Sequence, residues 1–362
     1  MIVYFDVRNL YYLPQYLPVY HELKARGADC RFLFYRDAQF DAVINEVVKS
    51  EALPSLWAGS IDEALVIYQD AAPNWIVFGN HFQHLEKLKS ADSPIKSALL
   101  YHGIGVKDCY YDVELNQFDI RFVEGPHRYQ EIKRRHPKAR IEAVGFAKLD
   151  PLFSNSTPRP KFNLTEAGLS EEKPTLLYAP TFYPSSIEYI PDDWPQQFES
   201  FNIIIKPHFF TLSQKSYASQ RRKIEHWAEA DNVYIGKTTE YSLLPFMATA
   251  DLLISEASSA LFEFAALGKP IVWCDFLKLR WSYRGPLRYR FTRRMDQTIL
   301  QYQDIAAHTK HSRALYETVC EQLDNPAHYE HKRQQYCEEL IGERDGKVSL
   351  RIADYLETHR IF

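Results

Sequence analysis

Runs of three to five consecutive apolar residues recur along this chain, and their length constrains its fold more than any other feature. Trp75-Ile-Val-Phe78, Ala98-Leu-Leu-Tyr101, Leu252-Leu-Ile254 and Ile271-Val-Trp273 are examples. They are too short for helices. They also lack the strict alternation of a half-exposed strand, which suits strands buried on both faces of a parallel sheet. Further strands are predicted at Ile2–Val7, Arg31–Tyr35, Ile120–Val123, Ile141–Val144, Thr175–Ala179, Asn202–Lys206 and Asn232–Ile235. Amphipathic stretches lie between them, such as Leu17–Arg26, which Gly27 stops. Strands separated by helices imply βαβ units. Residues 299–340 read as helical, and Lys347–Leu356 reads as a last helix opening after Gly346.

The segment 154–174 is polar and holds three prolines, which marks a linker. The chain therefore reads as α/β, with two Rossmann-like domains facing across a cleft. We expect one domain over 1–155, a second over 170–320, and helices over 321–362 that pack back on the first. Such folds bind ligands beyond the carboxyl ends of their strands.

Composition removes several classes. Lys plus Arg is 43 and Asp plus Glu is 47, a net charge of −4. A dedicated nucleic-acid binder would carry a basic excess, so no nucleic-acid partner is expected. The five cysteines are scattered, with no C-x-x-C, which points to neither a disulfide framework nor a zinc knuckle. A reducing, cytoplasmic setting is the expectation. Met1 runs straight into a strand-like segment, so no signal peptide is expected. No uncharged apolar run reaches the roughly 18 residues that a membrane span needs.

Four segments can carry chemistry. In Leu253-Ile-Ser-Glu-Ala-Ser-Ser-Ala-Leu-Phe-Glu-Phe-Ala-Ala-Leu-Gly-Lys-Pro270, a strand ends near Ser255. Ser258 or Ser259 can N-cap a helix through Leu267, with Gly268 at its C-terminal end. A helix start at a strand end offers N–H groups and partial positive charge to a diphosphate. Plain capping with no ligand explains the same pattern. In Tyr101-His-Gly-Ile-Gly-Val-Lys107, His102 follows a strand and can serve as a general base, while Lys107 can meet a phosphate. A structural role for His102 is the alternative. In Ile203-Ile-Ile-Lys-Pro-His208 a second histidine sits at a strand end, in the other domain. Two such histidines can converge on one cleft.

The fourth segment, Phe276–Met295, holds Lys278, Arg280, Arg284, Arg288, Arg290, Arg293 and Arg294 among aromatic residues, with no acid. It suits a polyanionic acceptor or an anionic membrane surface; a solvated face is the bland reading. No Asp-x-Asp, P-loop or G-x-S-x-G occurs. No bound metal is expected: the pairs His81/His84 and His308/His311 have no companion ligand run.

Taken together, these segments resemble the CDP-glycerol glycerophosphotransferase family of teichoic-acid and capsule primases and polymerases. His102-Gly103 with Lys107 resembles H-G-T-P-x-K, and Gly145-Phe-Ala-Lys-Leu-Asp150 resembles G-x-P-R-x-D. Leu177-Tyr-Ala-Pro-Thr181 resembles L-Y-A-P-T, and Lys206-Pro-His208 resembles K-P-H. Ser255-Glu-Ala-Ser-Ser259 with Phe262-Glu-Phe264 resembles T-D-Y-S-S followed by F-D-F. Asp345-Gly-Lys-Val-Ser-Leu-Arg351 resembles D-G-K-A-S-x-R. The resemblance runs over roughly residues 75–356. Thr-Pro is replaced by Ile104-Gly105, Asp by Glu256 and Arg by Lys148.

The resemblance implies a GT-B fold and a CDP-linked polyol donor, with no tightly bound cofactor. It implies transfer of a polyol phosphate, usually glycerol phosphate, to a hydroxyl of a lipid-linked or polymeric glycan, with CMP leaving. His102 then falls on the base and His208 on a phosphate contact. Ser258 and Ser259 fall at the diphosphate, with Thr181 as a further phosphate contact. Glu256 and Glu263 fall near the nucleotide ribose, Glu263 having a helix-surface role as its alternative. Peripheral contact with the inner face of the cell membrane follows from the same likeness. The rivals are a GT-B glycosyltransferase or sugar-nucleotide epimerase, and a non-catalytic protein that binds nucleotide or anionic lipid.

Overall fold

The computed structural model describes residues 1–89, 94–104, 108–156, 158–279, 281–289 and 297–359. Its apolar runs form two separate sheets. The first holds β1 (Ile2–Val7), β2 (Asp29–Tyr35), β3 (Ser55–Ala58), β4 (Trp75–Phe78), β5 (Lys96–Leu100), β6 (Ile120–Val123) and β7 (Ile141–Ala143). Their order is β3-β2-β1-β4-β5-β6-β7, with every neighbouring pair parallel. The second holds β8 (Thr175–Ala179), β9 (Asn202–Ile205), β10 (Val233–Ile235), β11 (Leu252–Ser255), β12 (Ile271–Cys274) and β13 (Ala307–Thr309). Their order is β10-β9-β8-β11-β12-β13, again all parallel.

Strands β4, β8, β9, β11 and β12 are buried at every residue, which is why their sequences do not alternate. In each sheet the strand order reverses once, between β1 and β4 and between β8 and β11. Connections leave these points in opposite directions, so the carboxyl ends of the two strands open a crevice there.

The chain divides into two compact units, Met1–Arg159 with Glu338–Phe362, and Pro160–Cys337. Two expectations are corrected. The stretch predicted to leave the second unit at residue 321 stays with it through Cys337. The stretch 299–340, read as helical, contains β13, which adds to the free edge of β12 through Val272↔Ala307, Trp273↔His308 and Cys274↔Thr309. Three residues are too few to leave a periodic signature. Short β3, whose first three residues are only half-buried, went unpredicted for the same reason.

Two motifs far apart in the chain meet in the first unit. The last helix, Val348–Thr358, buries Val348, Ile352, Ala353 and Leu356 along one face and packs on the helix Leu13–Ala25. Its start is held by Asp150, whose carboxylate accepts from the Val348 N–H at 3.1 Å and the Ser349 N–H at 2.6 Å. Arg351 donates to the Val144 carbonyl at 2.8 Å and pairs with Asp345 at 2.8 Å. Gly145 has φ of +101°, and a Cβ on it would lie 2.7 Å from Val348 Cγ2. The Gly145–Asp150 and Asp345–Arg351 motifs are thus two halves of one clasp. Asp150→Ala strips a buried helix start of both acceptors and is expected to cost about 2 kcal/mol. The check is the shift of the urea midpoint at unchanged slope.

Candidate functional site

At the reversal point of the second sheet, β8 leads into residues 180–187 and β11 leads into Glu256 and the helix Ser259–Ala265. Glu256 is buried, and both its oxygens face this first loop. Oε2 accepts the Thr181 N–H at 2.6 Å. Oε1 accepts the Ser186 N–H at 2.8 Å, the Ser186 hydroxyl at 2.5 Å and the Ser185 hydroxyl at 3.4 Å. Burial pushes the carboxyl up to about 7, against the pull of those donors. Glu256 therefore fastens the loop after β8 to the end of β11. The ribose contact expected of it is corrected, because its acceptor capacity is spent inside the protein.

Thr181 is corrected in the same way. Its hydroxyl donates to the Pro184 carbonyl at 2.5 Å, so it shapes the loop instead of offering a proton to a phosphate. Ser185 and Ser186 were not singled out from the sequence. Tyr183-Pro-Ser-Ser186 carries turn chemistry, but nothing local says that a carboxylate some 70 positions away needs those donors.

Ser258 occupies the N-cap position with extended backbone, yet its side chain makes no capping bond. Its hydroxyl meets the Ser255 hydroxyl at 3.3 Å. Ser258 and Ser259 are half-buried where the preceding strand is fully buried. Two hydroxyls and the helix's first N–H groups are thus presented at the carboxyl end of β11. Glu263 is buried in that helix, which corrects the helix-surface alternative.

His208 follows β9 by three residues and caps the short helix Phe209–Ser213, its Nδ1 accepting the Phe210 N–H at 3.2 Å. That bond places the ring proton on Nε2. Desolvation lowers the imidazole to about 4, so it is neutral near pH 7. Phe182 and Phe210 hold the ring, with centroids 4.6 and 5.0 Å away. A neutral Nε2–H is a fixed hydrogen-bond donor, suited to a phosphate oxygen. Behind it, Lys206 donates to the Lys237 carbonyl at 2.8 Å, and burial lowers its ammonium to about 8.

In the first unit, His102 lies just past β5. Its half-buried ring stacks on Tyr12 at 4.7 Å and tilts against Tyr11 at 4.7 Å. A separate cavity of about 970 Å³ opens at the carboxyl ends of β6 and β7, lined by Glu124, Gly145, Phe153, Gly342, Asp345 and Arg351 among others. In the basic segment Arg284 and Arg288 are exposed and Trp281 is 85% exposed. Lys107, Arg280, Arg290, Arg293 and Arg294 lie outside the described residues. Among the described residues no cluster of three or more His, Cys, Asp or Glu is placed to hold a metal ion. No described helix is long and apolar enough to cross a membrane.

Residues 107–358 match the CDP-Glycerol:Poly(glycerophosphate) glycerophosphotransferase family. The chain belongs to this family. The matched span begins after His102, so the likeness read from residue 75 is shown only from 107 onward. Among curated proteins, the teichoic acid glycerol-phosphate primase of Bacillus subtilis (strain 168) is 29% identical over 143 residues. That alignment covers 39% of this chain and 35% of the primase, about a third of its length. Among solved structures, the wall teichoic acid polymerase TagF superposes with a TM-score of 0.68 at 15% identity, covering 99% of this chain and 88% of that one. A UDP-GlcNAc 2-epimerase from Neisseria meningitidis, bound to UDP-GlcNAc, superposes with a TM-score of 0.60 at 12% identity, covering 99% and 100%. At these identities the structural likenesses speak for the fold: this glycerophosphotransferase-family chain has the GT-B type architecture, two parallel α/β units with terminal helices.

Proposed function

We propose that this protein moves a polyol phosphate, glycerol phosphate from CDP-glycerol being the first choice, to a hydroxyl of a lipid-linked or polymeric glycan and releases CMP. The observation that carries this reading is the family match, which runs across the whole second unit, including His208, Ser258 and Ser259. The acceptor oxygen attacks the phosphorus bearing the glycerol. The bond from that phosphorus to the CMP phosphate oxygen breaks in line, and the acceptor proton passes to His102. Little covalent work falls to the protein, whose task is positioning and charge stabilisation. His208 Nε2–H, the Ser258 and Ser259 hydroxyls and the adjacent N–H groups hold the diphosphate as charge moves to CMP. No resident cofactor or metal is part of this scheme.

The reaction is placed in the cytoplasm, at the inner face of the cell membrane. Exposed Trp281, Arg284 and Arg288 supply an aromatic and cationic surface for anionic lipid headgroups.

The test is a donor screen. A ligand that binds only the folded state raises the melting temperature by mass action. CDP-glycerol or CDP-ribitol is expected to stabilise the protein, with little shift from UDP-sugars. Adding a glycan acceptor should release CMP. His208→Ala should weaken CDP-glycerol binding at least tenfold, the scale of one lost hydrogen bond to a charged group. Stabilisation by a UDP-sugar alone would favour the epimerase or glycosyltransferase reading. Binding without turnover of any donor would favour the non-catalytic one.

A further inference from the structure

His102 opens the connection from β5 to β6. Parallel strands are ordinarily joined through an α-helix. Here the described residues hold two short 3-10 turns instead, Asp108–Tyr111 and Val113–Gln117. Such turns make few hydrogen bonds of their own, so side chains from neighbouring elements fix the connection. Arg121 on β6 is one of them. Its guanidinium is buried; Nη2 donates to the Tyr110 carbonyl at 2.6 Å and Nη1 to the Asn116 side-chain oxygen at 3.1 Å. One planar fork thus holds a residue of each turn.

Tyr110 is held by its ring as well as by its carbonyl. The guanidinium of Arg128, on the helix Pro126–Arg135, lies 4.1 Å from the Tyr110 ring centre. Glu124 fixes that guanidinium, its Oε1 accepting Arg128 Nε at 2.8 Å and Nη2 at 2.5 Å. The same tyrosine ring meets Tyr101 edge-on, with centroids 4.6 Å apart. Its hydroxyl lies over Gly103, where a Cβ would stand 3.4 Å from it. Tyr110 therefore packs against the residues on both sides of His102. Displacing it would strip a partner from each of two buried arginines, which is costly for a charge out of water.

We propose that Tyr110, fixed by Arg121 and Arg128, is a positioning residue that sets the place of the His102 imidazole for proton transfer from the acceptor. The inference rests on the transferase reading above and deepens it; Tyr110 acts through residues 101 and 103 and touches no substrate.

The experiment is a double-mutant cycle on single-turnover CMP release, with saturating CDP-glycerol and a synthetic glycoside acceptor ending in glycerol phosphate. Tyr110→Leu is expected to lower the rate about 10- to 100-fold, the scale of a misplacement near 1 Å, with the CDP-glycerol thermal shift unchanged. Tyr110→Phe keeps the ring between its neighbours and should recover most of that loss. In the His102→Ala background, Tyr110→Leu should change the residual rate less than about twofold, because the group it positions is gone. An equal loss in both backgrounds, or no loss beside an intact His102, overturns the proposal. Arg121→Lys keeps the charge without the fork and should lose about tenfold; it carries the same cycle should Tyr110→Leu fail to fold. The Cε1–H NMR signal of His102, identified by its absence from His102→Ala, separates this inference from the transferase reading. Arg121 makes its hydrogen bonds to Tyr110 and Asn116, so a changed signal in Arg121→Lys reports transmission through the turns. If wild type turns over no donor, a shifted or split signal in that variant still supports the positioning, and an unmoved signal overturns it.

Discussion

Turnover should fall by roughly 100- to 10,000-fold when His102 is replaced by alanine, the range lost when a positioned general base is removed. The CDP-glycerol thermal shift should stay close to that of wild type, because the proposed donor-holding residues belong to the second unit. The expected loss is therefore in kcat, with little change in the apparent donor constant. The ring is half-buried and packs against Tyr11 and Tyr12, so truncation removes its contacts with both rings. Folding should survive, which circular dichroism and the melting curve will verify. The decisive measurement is single-turnover CMP release with saturating donor and acceptor. Wild-type rates in the alanine variant would remove His102 from the mechanism and leave the tyrosine-flanked ring a packing role.

The second large effect belongs to Glu256. Its two oxygens collect the Thr181 N–H, the Ser186 N–H and hydroxyl and the Ser185 hydroxyl in a buried setting. Glu256→Ala leaves those donors without an acceptor. Each buried unsatisfied group costs about 1–3 kcal/mol, so the four donors together put the expected loss at about 4 kcal/mol or more, with donor binding lost as the loop after β8 comes away. Glu256→Gln keeps the shape and tests the charge. The carboxyl is raised from its ordinary 4.5 to about 7, so between those values the folded protein binds more protons than the unfolded chain. Stability from this group is full below pH 4.5 and declines as pH rises through about 7. The shift corresponds to roughly 3 kcal/mol. Denaturant titrations at a series of pH values should show that decline in wild type relative to Glu256→Gln. Parallel pH curves for the two proteins would mean that Glu256 has an ordinary carboxyl in the fold and does not act as a buried staple.

The same residue marks where reading the sequence stopped. Ser255-Glu-Ala-Ser-Ser259 was legible as a strand end running into a helix start, because the apolar run ends and hydroxyl residues follow within a few positions. The structure has that strand and that helix. The neighbouring glutamate looked like a ligand contact, since an acid beside a nucleotide-binding helix has that use. Its actual partners lie 70 and 75 positions earlier in the chain. Asp150 teaches the same lesson across 198 positions: its motif and the one near Asp345 were both noticed, but only folding makes them one clasp.

What the amino-acid order determined by itself was local: where the backbone runs as buried strand, where a helix starts and stops, and hence an α/β chain in two halves with recognisable motifs in sequence. Those features follow from steric and hydrophobic preferences acting over a few residues. That Glu256 acts as a staple inside the protein, and where the second unit ends, were decided only by the tertiary structure. Each depends on pairings between strand ends remote in the chain, and a hydrogen-bonding group takes its role from whatever partner folding brings within about 3 Å of it.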